Sequence, residues 1–192
     1  MEEIKQEESK EPEQEAVDPK KEIISWILYF AAAIVIALFL KNYVIINANI
    51  PSGSMENTIM TGDNVIGFRL SYTFSKPERG DIIIFKYPDD KTQNFVKRVI
   101  GLPGETVTIK EAKVYIDGDE EPLDESYLKE EWVRDNGPYE FVVPEGSYFV
   151  MGDNRNSSKD SRYWENTYVT EEDIIGKAIF VYFPFNHAGM LK

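Results

Sequence analysis

The chain has 192 residues, 42% of them hydrophobic, which suits one ordinary domain with a real core plus appendages. Its net charge of −13 argues against the basic face that a nucleic-acid partner requires, so no nucleic acid is expected. It has no cysteine and one histidine, which excludes disulfides, thiolate metal sites, a cysteine nucleophile and, in practice, a zinc site.

Met1 to Pro19 carries eight acidic residues against Lys5 and Lys10 and almost nothing apolar, so it is expected to be disordered. Ile23 to Leu40 then runs eighteen residues with Ser25 its one plainly polar member and no charge. At about 1.5 Å per residue this run nearly crosses a ~30 Å hydrocarbon layer, and Asn42 to Ile46 can extend it. Trp26 and Tyr29 near one end and Tyr43 near the other are placed as interfacial anchors. The apolar core of a cleaved signal peptide is shorter, about 7–15 residues, so the run is read as a retained signal anchor. Lys20 and Lys21 abut its start, and Lys41 is followed by no further cation until Arg69. That bias puts the N-terminus inside and the rest outside.

Beyond the anchor the pattern changes to short β-like pieces cut by turns. Strands are expected at Asn64 to Leu70, Asp81 to Tyr87, Phe95 to Ile100, Tyr139 to Val143, Ser147 to Met151 and Ala178 to Phe183. Thr106 to Lys110 and Lys113 to Ile116 read as a hairpin pair followed by an Asp117-Gly118 turn. Thr170 to Ile175 reads as one helical turn capped by Thr170. The acidic set from Asp117 to Glu131 reads as solvated surface or disorder. Many short strands with little helix suggest a mostly antiparallel, partly closed β structure.

Chemistry enters at Ile50-Pro51-Ser52-Gly53-Ser54-Met55-Glu56-Asn57-Thr58. Pro51 removes a ladder donor and Gly53 has no side chain to bury, so the stretch makes a poor core strand. It suits a place where another backbone comes close and a hydroxyl is exposed, although a serine-rich turn is the plainer reading. Ser54 is the candidate nucleophile. A serine nucleophile needs a base. His187 sits in a tail-like context near the C-terminus and is read as an exposed histidine. Lys97 lies in Phe95-Val96-Lys97-Arg98-Val99-Ile100, where alternation leaves either Lys97 or Arg98 flanked by apolar groups. A desolvated lysine can lose its proton and an arginine cannot. The residues alone leave open that Lys97 and Arg98 are an exposed pair on an edge strand. Gly152-Asp153-Asn154-Arg155-Asn156-Ser157-Ser158-Lys159-Asp160-Ser161-Arg162 follows an apolar strand and reads as a loop held by its own polar network, in which Asp160 can pair with Arg162.

Three stretches taken in order resemble bacterial type I signal peptidases of the Ser-Lys class. They are Ser52-Gly53-Ser54-Met55, Lys97-Arg98-Val99-Ile100-Gly101-Leu102-Pro103-Gly104 and Gly152 to Arg155 with Ser158 to Arg162, behind an N-terminal anchor. Arg79-Gly80-Asp81-Ile82-Ile83 resembles a further box of that family. The resemblance implies Ser54 as acylating nucleophile and Lys97 as general base. It implies an oxyanion hole from the Ser54 N–H and the Ser52 hydroxyl, Ser158 orienting the Lys97 amine, and Asp160 with Arg162 as a structural pair. Ile50, Met55, Phe95 and Val96 are the candidates for shallow apolar substrate pockets. One departure stands at Asn57, where the family often has proline.

The fold implied is mostly β, a membrane-anchored coiled β-sheet with one N-terminal transmembrane helix. Residues 1–22 would be a disordered acidic cytoplasmic tail, 23–43 the signal anchor and 44–192 an extracytoplasmic catalytic domain. The family cuts exported preproteins after a small-x-small motif and needs no cofactor. Signal peptides, the lipid of the cytoplasmic membrane and nearby secretion machinery are the partners implied. The short segment before Tyr139 resembles compact Gram-positive members. A self-cleaving repressor-type Ser-Lys protease and an inactive membrane-tethered β scaffold are the alternatives.

Overall fold

The computed structural model describes residues 18–192, and most of the expected disordered tail lies outside them. Helix α1 spans Pro19–Phe39. Asp18 starts it: its carboxylate accepts the Lys20 N–H at 3.0 Å, and proline follows at the first helical position. Pro19 to Glu22, expected to belong to the tail, are therefore helical. With the π-helical turn Leu40–Val44, the helical run reaches 26 residues, long and apolar enough to cross a membrane. No residue of α1 is buried, and its apolar surface faces outward on every side. Residues 19–39 and the remainder form two separate compact units.

The second unit holds eleven strands: β1 Ile45–Asn49, β2 Asn64–Phe68, β3 Ile82–Tyr87, β4 Asp90–Gly101, β5 Thr106–Lys110, β6 Lys113–Ile116, β7 Tyr139–Val142, β8 Ser147–Met151, β9 Val169–Thr170, β10 Ile174–Phe183 and β11 Gly189–Met190. Eight build one antiparallel sheet in the order β1-β2-β10-β3-β4-β8-β9, with β11 also on β10. The other three form a small sheet, β6-β5-β7. Register shifts interrupt β10 against both β2 and β3, and β4 against β8. Such bulges bend and twist strands, which coils the large sheet.

The continuous apolar run in β3 has a simple cause. Its side chains alternate between two cores: Ile82 and Ile84 join one around Met55 and Ile59, and Ile83, Phe85 and Tyr87 join another around Tyr148 and Trp164. In β8, Tyr148 and Val150 face that second core, while Phe149 and Met151 enter a third with Trp132 and the small sheet. Strands covered on both faces lose the apolar–polar alternation.

Three expectations shift. Ile45 and Ile46, read as an extension of the anchor, begin edge strand β1 instead. Strand β4 starts at Asp90, five residues before the expected Phe95, because it folds back on β3 in a tight hairpin pairing Tyr87 with Asp90. Thr170 does precede a helical turn, the 3-10 turn Glu171–Asp173, but β10 takes over at Ile174.

Candidate active site

Ser54 sits in the loop between β1 and β2. Apolar anchoring and backbone hydrogen bonds fix that loop. Met55 and Ile59 drop into the core, and the Ile59 N–H donates to the Met55 carbonyl at 2.8 Å. The Ile50 N–H donates to Asp63 O at 2.9 Å and the Gly62 N–H to Ile50 O at 2.8 Å, closing the loop at its base. Gly53 to Met55 make one 3-10 turn, in which Ser54 is largely buried but lines a cleft.

Lys97 reaches that hydroxyl from β4. Its Nζ lies 2.6 Å from Ser54 Oγ and donates to Val96 O at 3.1 Å. The ring centroid of Phe95 is 5.5 Å away. Strand β4 is interior here, between β3 and β8, so the edge-strand alternative for Lys97 and Arg98 does not hold. Both cations are buried, Lys97 at 4% and Arg98 at 2% exposure. Burial pushes the Lys97 amine down to about 8, although the carboxylates of Asp160 and Asp153 pull the other way. The Arg98 guanidinium finds partners for each of its nitrogens. Its Nε and Nη2 donate to Asp153 at 2.9 and 2.7 Å, and its Nη1 donates to Gly80 O and Lys192 O.

The Gly152 to Arg162 loop closes over the pair. The Asn154 N–H donates to Ser54 O at 3.0 Å and the Asn154 side-chain amide to Gly53 O at 2.9 Å. A Cβ at position 152 would collide with both the Ser54 carbonyl and Ser158 Oγ, so glycine is what lets the loop lie this close. Asp160 receives Arg162 through two bonds, 2.8 and 2.9 Å, and the Gly152 N–H at 3.0 Å. Burial alone would raise the Asp160 carboxyl, but Arg162 and the Gly152 N–H outweigh it and hold the carboxyl below the usual range.

The structure brings Ser52, Ser54 and Lys97 together, with Ser52 Oγ 3.5 Å from Ser54 Oγ. Asp160 and Arg162 pair one layer behind. Ser158 is buried beside Gly152, and no hydrogen bond joins its hydroxyl to the Lys97 amine. Ile50, Met55, Phe95 and Val96 all line a cleft of about 720 Å³ that opens onto Ser54 and Lys97. Edge strand β1 forms one wall of it. His187, read as exposed, is half-buried instead, and its Nδ1 lies 2.7 Å from Asp63 Oδ2. Among the described residues no cluster of His, Cys, Asp or Glu is disposed to hold a metal ion.

Sequence reasoning missed several members of this site. In sequence, Asp153 has a place in the polar loop and its family-like stretch but no role, although it pairs with Arg98 and accepts the Thr58 hydroxyl. The acidic stretch read as solvated or disordered is ordered and partly buried from Leu123 to Trp132. Glu125 pairs with Arg155, Tyr127 lies against Arg98, and Trp132 is 3% exposed. The available signal was the loop's count of charges after a buried strand, Arg155, Lys159 and Arg162 against Asp153 and Asp160, which leaves a cation over.

A family model described as "Signal peptidase, peptidase S26" matches residues 23–183. A Signal peptidase I of Leptolyngbya laminosa is 40% identical over 186 residues, covering 92% of this chain and 88% of its own length. A Probable signal peptidase I-1 of a Synechocystis species is 43% identical over 166 residues, with 83% and 82% covered. A Signal peptidase I of Bacillus licheniformis is 34% identical over 184 residues, with 91% and 96% covered.

Proposed function

Because the chain belongs to the signal peptidase family, peptidase S26, we propose that it removes signal peptides from exported preproteins with Ser54 as nucleophile and Lys97 as base. The observation that supports this most is the 2.6 Å approach of a buried, readily deprotonated lysine to a serine hydroxyl at the floor of a cleft.

The chemistry runs in two halves. Neutral Lys97 takes the Ser54 Oγ proton as the oxygen attacks the scissile carbonyl. The oxyanion is held by the Ser54 N–H and the Ser52 hydroxyl. As the C–N bond breaks, the Lys97 ammonium returns its proton to the leaving amine, and the signal peptide remains as an ester on Ser54. Water, deprotonated by Lys97, attacks that ester and releases the acid. The Val96 carbonyl orients the amine, and Asp160 with Arg162 holds the loop. No cofactor takes part.

An extended preprotein segment adds along the free edge of β1, and small side chains at alternate positions enter the shallow hollow near Ile50, Met55, Phe95 and Val96. That arrangement suits a small-x-small motif. Residues 23–43 anchor the chain in the cytoplasmic membrane in a single pass. The lysines at 20 and 21 keep residues 1–22 in the cytoplasm, and residues 44–192 work outside, beside lipid and secretion machinery. Tethering holds the enzyme where cleavage sites emerge and raises their effective concentration.

The test compares wild type, Ser54→Ala and Lys97→Ala in detergent with a preprotein on a gel. Cleavage by the wild type alone is expected. Full activity in either variant overturns the reading.

A further inference from the structure

Residues 123–134 cross the loop behind the Ser54–Lys97 pair as a strap. Three arginines lie beneath it, and each is paired with an acid. Arg98 has Asp153 and Arg162 has Asp160, both acids belonging to the loop itself. Arg155 has Glu125, which comes from the strap. Its Nη1 and Nη2 donate to the two carboxylate oxygens of Glu125 at 3.0 and 2.6 Å, with side-chain exposures of 1% and 8%.

The rest of the strap reinforces this contact. The Tyr127 hydroxyl donates to Glu125 Oε1 at 3.1 Å, and its ring centroid lies 4.0 Å from the Arg98 guanidinium. The Trp132 ring lies 5.1 Å from Arg155 and 5.2 Å from Arg162. Asn156 Oδ1 accepts the N–H groups of Val133 and Arg134 at 2.9 and 3.1 Å. Lys129 pairs with Glu56, two residues beyond Ser54, at 2.9 Å.

Arg155 transmits this hold inward. Its Nε donates to Gly152 O at 3.1 Å, and its own carbonyl accepts Arg162 Nη2 at 3.0 Å. Gly152 abuts the Ser54 carbonyl, and Asn154 donates to that carbonyl and to the one before it. A chain of direct contacts therefore runs from Glu125 through Arg155 and Gly152 to the Ser54 peptide. Without Glu125, the remaining carboxylate near buried Arg155 is Asp160, which is already paired with Arg162, and so poor a balance is costly enough to make the side chain move toward water.

Resting on the function proposed above, we propose that Glu125 is a positioning residue: paired with Arg155, it fixes the Gly152 to Asn154 backbone against Ser54 and keeps the lysine dry. The charged groups facing Lys97 are Asp153 and Asp160 of the loop, with Lys159 lining the same cleft. If the loop loosens and water enters, the Lys97 amine rises toward its ordinary value and less of it is neutral near pH 7.

The experiment uses the full chain in detergent with a signal-peptide substrate. kcat and KM are measured from pH 6.5 to 10.5, and rates are normalised to the folded fraction from thermal unfolding. Glu125→Gln should lower kcat roughly tenfold at pH 7.5 with KM nearly unchanged. The midpoint of its acidic limb should rise by about one unit, so that the deficit shrinks as pH increases. An unshifted limb, a loss that is equal at every pH, or a change in KM alone overturns the proposal. Should that variant not fold, Glu125→Leu with Arg155→Met removes both charges together. It should fold and still show the shifted limb, and wild-type kinetics in it overturns the proposal. A wild type that cleaves nothing, or a Ser54→Ala variant that cleaves normally, defeats the functional reading and this proposal with it, whereas an unshifted limb in an active enzyme defeats this proposal alone.

Discussion

Arg98 and Asp153 meet through two parallel hydrogen bonds, with side-chain exposures of 3% and 0%, directly beside the lysine that touches Ser54. The pair joins interior strand β4 to the loop that covers the site. Asp153→Ala leaves a buried guanidinium unpaired and removes the acceptor for Thr58. Stability should fall by about 3–5 kcal/mol, a drop in Tm on the order of 10 °C, read by thermal unfolding in detergent.

Lys97→Arg should be as inactive as Lys97→Ala. A guanidinium keeps its proton at any working pH, so it cannot accept one from Ser54, and the charge matters less than the ability to lose it. Single-turnover cleavage of a preprotein measures this. An arginine variant with substantial activity would assign the base elsewhere.

The Lys97 amine, lowered to about 8, fixes the direction of two pH effects. kcat/KM should climb with pH through a midpoint near 8 as the neutral amine becomes populated. Stability follows the same residue. The unfolded chain, whose lysine titrates near its ordinary ~10.4, holds more protons than the folded one between those two values. The penalty for burying Lys97 is therefore full below about 8 and fades as pH rises toward ~10.4. Lys97→Met should raise Tm at pH 7, and the gain should shrink by pH 10.

Ser52→Ala should lower kcat on the order of 10²–10³, worth roughly 3–4 kcal/mol, with little change in KM. On the mechanism proposed above, the Ser52 hydroxyl, 3.5 Å from Ser54 Oγ, would meet charge that develops during attack and is absent from the bound substrate. Steady-state kinetics on a signal-peptide substrate separates the two constants. A rise in KM alone would make Ser52 a binding group.

Short-range features were the legible ones. The anchor, the β3 run, the β5–β6 hairpin and the Ser54 stretch each announce themselves within a dozen residues. Lys97 stood out as a lysine that can be neutral, but its own residues left an exposed edge pair open, and the burial of Arg98 was not legible, since its acid lies 55 positions away. The strap failed for the same reason. Glu125 sits in an acid-rich stretch that reads as solvated by composition, and only the fold puts Arg155 against it. Strand β1 was hidden because Tyr43-Val44-Ile45-Ile46 resumes the apolar run after only Lys41 and Asn42. The start of β4 was hidden because Asp90 to Asn94 is polar, as a surface hairpin arm can be.

The Asp160–Arg162 contact has a bearing on behaviour in acid. Its carboxyl is held below the ordinary range, whereas the lysine next to it gains a proton at about 8. With Lys97 as the base, acidification should therefore silence the enzyme well before it begins to dismantle the scaffold around Ser54. A preparation that has fallen silent at mildly acidic pH should regain its full rate on neutralisation, as a dormant enzyme does and a denatured one does not.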